Sequence, residues 1–481
     1  MTLLAEPRPA GIVRPLDQVL ARASDPKKLE RWQAQVRATG YCSRPVRLRG
    51  RVRAIDKRTG ECREVYDTAS EPDGTLLTAC GQRREAVCPS CAATYRGDAW
   101  HIVASGLRGG KGVPESVAQH PTLFVTLTAP NFGAVHSSRR AGGQARPCVP
   151  RRGGGSCPHG RSLSCWRRHG EGDGCLGKPL CSDCFDYERA VLWNALAPEL
   201  WRRTAIAIRR QLGRACGLTQ AELHRRVRLS YVKVAEYQRR GALHFHVVVR
   251  LDGAGEGVEP PPASFTAEPL ERAVRAAVDA VRVPSPEGEG NGPAEPLAWG
   301  HQLEVRRLEG EERAKVAAYV AKYATKSTEA VGGLVHRLKA GDLAGLGVSA
   351  HVRAYVEAAW RLGGHEHLEH LRLRRWAHAL AFRGHCFTKS RRYSTTFTAL
   401  RRARADYAAG RAPDTGTPKV DHNVAERWPE WRMVGMGYLN EGDAWLAVSA
   451  AARARDQRRI AREELMTARD DRWRGGGCVP A

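Results

Sequence analysis

Three residues with metal-binding side chains lie close together on a predicted hairpin. The stretch Val232–Leu251 reads VKVAEYQRRGALHFHVVVRL, and its residues alternate with the period of two that is typical of strands. A turn at the central RRG triplet pairs Glu236 with His244, and the same register pairs Val234 with His246. Directly paired residues share a face, so one carboxylate and two imidazoles are predicted side by side. This set suits a divalent cation better than a hydrophobic core.

Tyrosines and lysines share one face of a second predicted element, a helix at 316–326 with the sequence VAAYVAKYATK. Tyr319 and Tyr323 are four residues apart. Lys322 and Lys326 have the same spacing, so all four lie within about one third of the helix circumference. A tyrosine hydroxyl has an unperturbed pKa of about 10 and needs nearby positive charge to act as a nucleophile. Taken alone, the stripe is also typical of an ordinary amphipathic helix with core tyrosines.

Three motifs in this order resemble those of the HUH endonucleases. The strand FVTLTAP at 124–130 resembles their FxTLT strand, and HFH at 244–246 resembles their His-hydrophobic-His motif. The tyrosines and lysines at 319–326 resemble the paired-tyrosine motif of rolling-circle replication initiators. From about Tyr41 to Arg462 the chain is similar to the RepSA-type initiators of actinobacterial plasmids and integrative elements. The segments that carry this closer similarity are CGQRREAVCPSCAATYRGDAWH, PLCSDCFDYERAVLWNALAPELWRR, EYQRRGALHFH and RGHCFTKSRRYSTTF.

The resemblance implies metal-dependent nicking and joining of single-stranded origin DNA. His244 and His246, with Glu236 or another nearby polar group, would hold Mg²⁺ or Mn²⁺ at the scissile phosphate. Tyr319 or Tyr323 would attack phosphorus and leave a 5′-phosphotyrosine and a free 3′-OH. The enzyme class implied is a metal-dependent single-strand endonuclease and ligase.

The resemblance also implies roles for the lysines and for host proteins. Lys322 and Lys326 would lower the phenol pKa or hold the phosphate. Two tyrosines would allow a second cleavage before the first strand is released, which suits the end of a round of replication. A host polymerase would extend the 3′ end. The sequence contains no P-loop of the form GxxxxGK[ST], so a host helicase is expected to separate the strands.

A first cysteine group predicts a structural zinc site. Cys88-Pro-Ser-Cys91 has the two-residue gap that lets two thiolates bind one tetrahedral ion. Cys80 and Cys42 are the preferred remaining ligands, with Cys62 as an alternative. Free thiols in a core are the competing interpretation.

A second group lies in a predicted insertion at about 148–186, between the FxTLT strand and the hairpin. It closes with Cys181-Ser-Asp-Cys184 and is compact, which favours zinc. His159 or His169 could replace one ligand, and Cys175 is interpreted as incidental. The preferred zinc ligands are Cys157, Cys165, Cys181 and Cys184.

Several polar residues are candidate DNA contacts. The segment RGHCFTKSRRYSTTF combines positive side chains with hydroxyl groups and with Tyr393, a mixture suited to phosphate contact and base stacking. An ordinary basic surface loop has the same composition. The candidate DNA-binding residues are Thr126, Thr128, Arg239, Arg240, Lys389, Arg391 and Arg392.

Charge and hydropathy agree with a DNA-directed protein. The 481 residues carry a formal net charge of +26, which predicts salt-sensitive attraction to a polyanion. A generally basic, arginine-rich proteome is the alternative explanation. No apolar run approaches the roughly 20 residues that cross a bilayer, and no signal peptide is recognised, so we expect a cytoplasmic protein without a membrane partner.

The expected fold class is α+β. We expect an HUH endonuclease domain with a central antiparallel sheet flanked by helices, together with zinc-binding insertions. The predicted segments are a cysteine-rich N-terminal region (1–110), the endonuclease domain with its insertion (111–335), and a helical basic DNA-binding region (336–481). Residues 1–40 are interpreted as a flexible leader with one short helix.

Two other functions fit parts of the pattern. A paired-tyrosine HUH transposase would perform the same chemistry on the ends of a transposon. A zinc-dependent DNA-binding regulator would need only the cysteine groups and the basic helices, and would perform no catalysis.

Overall fold

In this computed structural model, the chain folds into two compact units. The first lies within Met1–Thr94 and Tyr407–Ala481, and the second is Tyr95–Asp406. No helix among the described residues is both long and apolar enough to cross a membrane. The described residues are 14–286, 295–326, 331–334, 336–411 and 425–475, with the backbone alone described at 408–411, 425 and 465–475.

Helices and strands alternate irregularly along the chain. The helices are α1 (Pro15–Ala23), α2 (Pro26–Ala38), α3 (Pro89–Arg108), α4 (Tyr187–Ala215), α5 (Gln220–Arg226), α6 (Ala267–Ala280), α7 (Glu312–Tyr323), α8 (Ala350–Leu362), α9 (Leu373–Trp376), α10 (Phe397–Arg411) and α11 (Glu441–Gly475). The strands are β1 (Val46–Asp56), β2 (Cys62–Asp67), β3 (Leu76–Thr78), β4 (Thr122–Thr128), β5 (Arg139–Ala141), β6 (Gln144–Arg146), β7 (Val227–Tyr237), β8 (Leu243–Gly253), β9 (Arg282–Val283), β10 (Leu297–Ala298), β11 (Leu303–Arg307), β12 (Phe387–Lys389) and β13 (Ala425–Met436).

The second unit is built on a five-stranded antiparallel sheet with the strand order β11–β4–β8–β7–β12. Strands β7 and β8 form the predicted hairpin. Glu236 pairs with His244 and Val234 pairs with His246, so the predicted register is confirmed. Gly241 at the turn has a φ of +80°, and a Cβ there would lie 2.6 Å from the ring of a buried tyrosine. Both the backbone and the packing therefore require glycine at this position.

The two faces of this sheet are covered by different helices. Phe245 and Val247 of β8 are buried in the larger core with residues of α4, α6 and α8. On the opposite face, Phe124, Val234 and Val248 pack with residues of α3 and α7. Because side chains alternate along a strand, the face that α7 covers is the one that carries Glu236 and His246. The helix with the tyrosines and the strands with the candidate ligands thus share one small core.

The first unit has a sheet with the order β13–β1–β2, and β3 also pairs with β1. Strand β13 lies in the region 336–481, so the predicted helical C-terminal region is helical only in part. The pairing joins β1 to a strand near the other end of the chain, a long-range contact that local sequence patterns do not predict. The division of the chain into 1–110, 111–335 and 336–481 remains a prediction.

The predicted flexible leader, residues 1–40, contains the two helices α1 and α2, and its first 13 residues lie outside the described part of the chain. Arg22 of α1 forms ion pairs of 2.7 Å with both Asp73 and Asp443. These contacts attach α1 to the first unit, so the interpretation of residues 14–40 as a flexible leader is wrong.

Candidate active site and metal centres

Strands β7 and β8 bring the three predicted cation ligands together, here called the Glu236 cluster (Glu236, His244 and His246). The Nε2 atoms of the two histidines lie 2.9 Å and 3.2 Å from the same oxygen, Oε2 of Glu236. One ligand atom from each residue lies within 4.8 Å of the other two. Glu236 and His244 are only partly buried, so solvent reaches the cluster. The three side chains are suitably placed to hold one cation.

Neighbouring side chains on β4 orient the ring of His246. Nδ1 of His246 lies 3.3 Å from Oγ1 of Thr126, its direct partner on β4. The ring of Phe124 stacks on the imidazole with a centroid distance of 5.8 Å. Burial lowers the pKa of His246, which favours the neutral imidazole that binds metals. Because Nδ1 faces Thr126, Nε2 is directed at Glu236 and α7.

Helix α7 places the predicted nucleophiles beside this cluster. Oη of Tyr319 lies 3.2 Å from Nε2 of His246, and 38% of Tyr319 is exposed. The Tyr323 ring lies 4.7 Å from the Tyr319 ring and 5.6 Å from the His246 ring, measured between centroids. Both tyrosines therefore adjoin the candidate cation ligands, and Tyr319 makes the closer polar contact.

The two lysines lie beside Tyr323. Nζ of Lys326 is 4.7 Å from the centroid of the Tyr323 ring, and Nζ of Lys322 is 5.8 Å from it. Lys326 also lies 4.0 Å from Oε1 of Glu236. Burial, followed by the effect of Tyr323, raises the pKa of Tyr319. Whether Lys322 and Lys326 lower a phenol pKa or hold the phosphate stays a prediction.

Three of the predicted DNA contacts hold the protein together at this end of the sheet. Thr128 is buried, and its hydroxyl donates to a main-chain oxygen at 2.6 Å in the loop before β11. Arg239 at the hairpin tip donates to the main-chain oxygen of Glu171 at 2.6 Å. Arg240 donates to two main-chain oxygens just after β4, at 2.7 Å and 2.8 Å. These guanidinium and hydroxyl groups brace the hairpin, and a role in DNA contact stays a prediction.

The basic segment after α9 is divided between surface and core. Nζ of Lys389 donates to three main-chain oxygens of the loop that follows it, whereas Arg391 and Arg392 are exposed. Tyr393 is fully buried, with the guanidinium of Arg250 4.8 Å from its ring centroid. The prediction that Tyr393 stacks on DNA bases is therefore wrong. Phosphate contact by the exposed arginines remains a prediction.

The first cysteine group forms one compact cluster, here called the Cys42 cluster (Cys42, Cys80, Cys88 and Cys91), whose sulfur atoms all lie within 4.8 Å of one another. The Sγ–Sγ distance is 3.8 Å between Cys42 and Cys88, and 3.6 Å between Cys80 and Cys91. Zinc–sulfur bonds of about 2.3 Å in a tetrahedron place the sulfurs about 3.8 Å apart. These are the four predicted ligands, and the cluster could hold a metal such as zinc. Cys62, the alternative, is exposed and lies outside it.

The second cysteine group divides between two clusters. Cys165 lies apart from the other three predicted ligands, so the predicted set of four is wrong in this respect. The reason is local: main-chain hydrogen bonds of 2.8 Å and 2.9 Å join Cys165 to Val149, while Cys157 lies in the loop between them. The Cys157 cluster contains Cys157, His159, Cys181 and Cys184, and the His136 cluster contains His136, Cys148, Cys165 and His169.

Two residues of the His136 cluster, His136 and Cys148, are not among the ligands that the sequence predicts. His136 and Cys148 are 12 positions apart in the sequence, with their Nδ1 and Sγ atoms 3.8 Å apart. A gap of this length matches no short zinc motif. Only the excess of unassigned cysteines and histidines in this region could have indicated a further cluster.

Residues 28–452 match the family described as replication initiator protein, pSAM2 (RepSA), so the chain belongs to this family of replication initiators. A replication initiator protein of Streptomyces ambofaciens is 40% identical over 472 residues, which cover 93% of this chain and 95% of that protein. The similarity to RepSA-type initiators that the longer sequence segments indicated is thereby confirmed. No solved structure matches the chain significantly. Assignment of the sheet to the HUH fold therefore stays a prediction.

Proposed function

We propose that this replication initiator is an HUH-type endonuclease that nicks and rejoins single-stranded origin DNA through a tyrosine. The observation that carries the proposal is the position of Tyr319. Its hydroxyl lies 3.2 Å from Nε2 of His246, which lies in turn 3.2 Å from Glu236. A partly exposed phenol beside three cation ligands can be reached by a phosphate that the cation would hold.

The side chains of the Glu236 cluster fit Mg²⁺ or Mn²⁺. Two imidazoles and one carboxylate offer nitrogen and oxygen ligands, and the imidazoles favour Mn²⁺ over Mg²⁺. When bound there, such an ion would polarise the scissile phosphate and stabilise the charge that grows on the leaving 3′ oxygen. Thr126 and Phe124 keep the His246 ring in the orientation that directs Nε2 at the cluster.

The reaction is an exchange of one phosphate ester for another. Oη of Tyr319 attacks phosphorus, and the bond from phosphorus to the 3′ oxygen breaks. The phenolic proton leaves to solvent and the 3′ oxygen takes up a proton, which gives a 5′-phosphotyrosine and a free 3′-OH. Attack of a 3′-OH on the phosphotyrosine reverses the step and rejoins the strand.

Tyr323 and the lysines complete the proposed cycle. Tyr323 lies close enough to the same cluster to cleave a second strand while Tyr319 still holds the first. Lys322 and Lys326 lie over the ring of Tyr323, where their charge would stabilise its phenolate and hold the phosphate. In the cytoplasm, a host polymerase would extend the 3′-OH and a host helicase would separate the strands.

The test is formation of a covalent adduct by the full chain. Single-stranded oligonucleotides that tile the origin of the encoding element are labelled at the 3′ end and incubated with the protein and Mn²⁺. A strand labelled at its 3′ end should migrate with the denatured protein, because the tyrosine retains the 5′ phosphate of that fragment. A strand labelled at its 5′ end should be released as a shorter product.

Substitution of the tyrosines identifies the nucleophile. We expect Tyr319→Phe to reduce the adduct most, and the double variant with Tyr323→Phe to abolish it. Tyr407→Phe is the matched control, because Tyr407 is exposed and lies outside the site. A non-enzymatic regulator would form no adduct at all, and a transposase would cleave the ends of an element in preference to an origin.

A further inference from the structure

We propose that the segment 136–184 is a cross-braced element that holds two zinc ions, one in the Cys157 cluster and one in the His136 cluster. The proposal concerns the structure of this segment and is independent of the proposed nuclease activity. It adds a metal site, made by His136, Cys148, Cys165 and His169, to the sites predicted from the sequence.

The distances within the His136 cluster are those of a tetrahedral zinc site. Bond lengths of about 2.3 Å to sulfur and about 2.0 Å to nitrogen place such ligand atoms about 3.5 Å apart. Sγ of Cys148 lies 3.8 Å from Nδ1 of His136, and Sγ of Cys165 lies 3.5 Å from Nε2 of His169. All four ligand atoms lie within 4.8 Å of one another, which leaves a central space for one ion.

Hydrogen bonds around the His136 cluster hold its ligands in the form that binds metal. The main-chain N–H of Ser137 donates to Sγ of Cys148 at 3.1 Å. Nδ1 of His169 lies 2.7 Å from Oδ2 of Asp173, so the ring directs Nε2 at Cys165. A carboxylate on the far nitrogen of a histidine is the usual support of a zinc-bound imidazole.

Cys175 is the rival ligand on the same histidine. Its Sγ lies 3.4 Å from Nδ1 of His169 and 3.8 Å from Nε2. It is therefore closer to the nitrogen that Asp173 contacts than to the nitrogen that faces Cys165. Cys175 falls outside the group of four but forms a further candidate group with His169 and Asp173, so its substitution tests which set binds the ion.

The Cys157 cluster has the same dimensions. Nδ1 of His159 lies 4.0 Å from the sulfur of Cys157, 3.8 Å from that of Cys181 and 3.3 Å from that of Cys184. This cluster has three sulfurs and one nitrogen, whereas the His136 cluster has two of each. Each cluster is therefore a complete four-ligand set, and neither needs a ligand from the other.

The ligands of the two clusters alternate in pairs along the chain. His136 and Cys148 come first, Cys157 and His159 belong to the other cluster, Cys165 and His169 return to the first, and Cys181 and Cys184 close the second. Main-chain hydrogen bonds between Val149 and Cys165 close the base of the central loop, and its tip carries Cys157. One ion therefore fastens the base of the loop and the other fastens its tip. Neither half of the segment can bind its ion without the other half.

This element forms one wall of a cavity next to the hairpin. The cavity has a volume of about 710 Å³, and its lining includes His136, Gly177 and Arg239. A Cβ at Gly177 would lie 2.3 Å from the main chain of Arg239, so the two segments touch directly. The position of the hairpin tip thus depends on a segment that has little hydrophobic core of its own and needs metal to fold.

The test counts zinc in the full chain by native mass spectrometry. Together with one ion in the Cys42 cluster, we expect three zinc ions per wild-type chain from the described residues. A count of two that falls to one in Cys88→Ser would overturn the proposal, because one ion would then have to serve the whole segment. The wild-type count does not depend on whether any variant folds.

Matched variants assign the added ion. We expect Cys148→Ser to lose at least one zinc ion, and Cys175→Ser to keep all three. Retention of three ions by Cys148→Ser, or loss of one by Cys175→Ser, would contradict the assignment of the His136 cluster as the ligands of the added ion. Circular dichroism and zinc content of the Cys175→Ser protein report whether a serine in this segment is tolerated.

Discussion

The Glu236 cluster and the Cys42 cluster show two ways of arranging metal ligands in one chain. The Cys42 cluster has four sulfur ligands, and three of its cysteines are buried. The Glu236 cluster has three nitrogen and oxygen ligands, is partly open to solvent, and has a tyrosine hydroxyl 3.2 Å from one ligand. Closed four-ligand sites stabilise a fold, whereas sites with an open position act on substrates. The number and accessibility of the ligands therefore separate the candidate structural site from the candidate catalytic site.

The supporting elements differ in the same way. The ligands of the Glu236 cluster lie on two adjacent strands of a sheet, with buried residues on the opposite face. That sheet can fold without a cation, because its stability comes from the hydrophobic core. The cysteine clusters lie largely on loops and short turns, which a bound metal would hold in place. Loss of the cation from the Glu236 cluster should therefore affect activity, whereas loss of zinc from a cysteine cluster should affect folding.

The largest effect is expected from removal of the histidines. The double variant His244→Ala/His246→Ala should form adduct about 10³-fold more slowly or not at all, because the cation loses two of its three protein ligands. Its zinc content and thermal unfolding should remain close to those of the wild type. Gel quantification of the adduct and native mass spectrometry provide the two measurements. Loss of zinc in this variant would show that the two kinds of site are not separate.

The converse variant is Cys88→Ser. It should lose one zinc ion and lower the free energy of unfolding of the first unit by more than about 3 kcal/mol. Denaturant unfolding, followed with the zinc count, measures both. Cys62→Ser should change neither quantity, because Cys62 is exposed and lies outside the clusters. Equal stability of the Cys88 and Cys62 variants would argue against a structural zinc in the Cys42 cluster.

A smaller effect is expected at the support of the His136 cluster. Asp173→Asn should weaken zinc binding by about 10- to 100-fold, because the His169 ring loses its carboxylate partner. Competition with a coloured chelator measures the affinity. Asp183→Asn is the control, since Asp183 is exposed and lies outside the clusters. The two variants should differ in zinc affinity. Identical affinities would contradict the role of Asp173 in orienting the His169 ring.

The smallest effect is expected at Thr126. Thr126→Val should slow adduct formation by about 10-fold, because the His246 ring is no longer held through Nδ1. Thr126→Ser retains the hydroxyl and should restore most of the rate. Single-turnover rates over a series of Mn²⁺ concentrations would show whether the loss arises from weaker cation binding. Equal rates for the valine and serine variants would contradict this role of the hydroxyl.

The hairpin could be predicted from the sequence because its information is local. Alternation on both strands and a glycine at the turn determine which residues share a face, and the observed pairing of Glu236 with His244 follows from these alone. The pairing of β1 with β13 depends on a contact between segments far apart in the chain. No local pattern specifies that partner, so the sequence alone does not predict the C-terminal strand.

Tertiary contacts explain the errors within the candidate sites. Tyr393 lies among arginines and hydroxyls in the sequence, but its ring fills the space that Gly106 leaves, where a Cβ would lie 2.2 Å from the ring. Spacing in the sequence groups Cys165 with Cys157, whereas the hydrogen bonds at the base of its loop place it beside Cys148. In both cases, the position of the residue depends on a contact that spacing in the sequence does not predict.

The most direct measurement treats the full chain with EDTA under native conditions and follows zinc content and adduct formation in the same sample. We predict that adduct formation stops while the zinc ions of the cysteine clusters remain bound, and that Mn²⁺ alone restores it. Adduct formation that survives EDTA, or that stops only when zinc is lost, would contradict an open cation site formed by Glu236, His244 and His246.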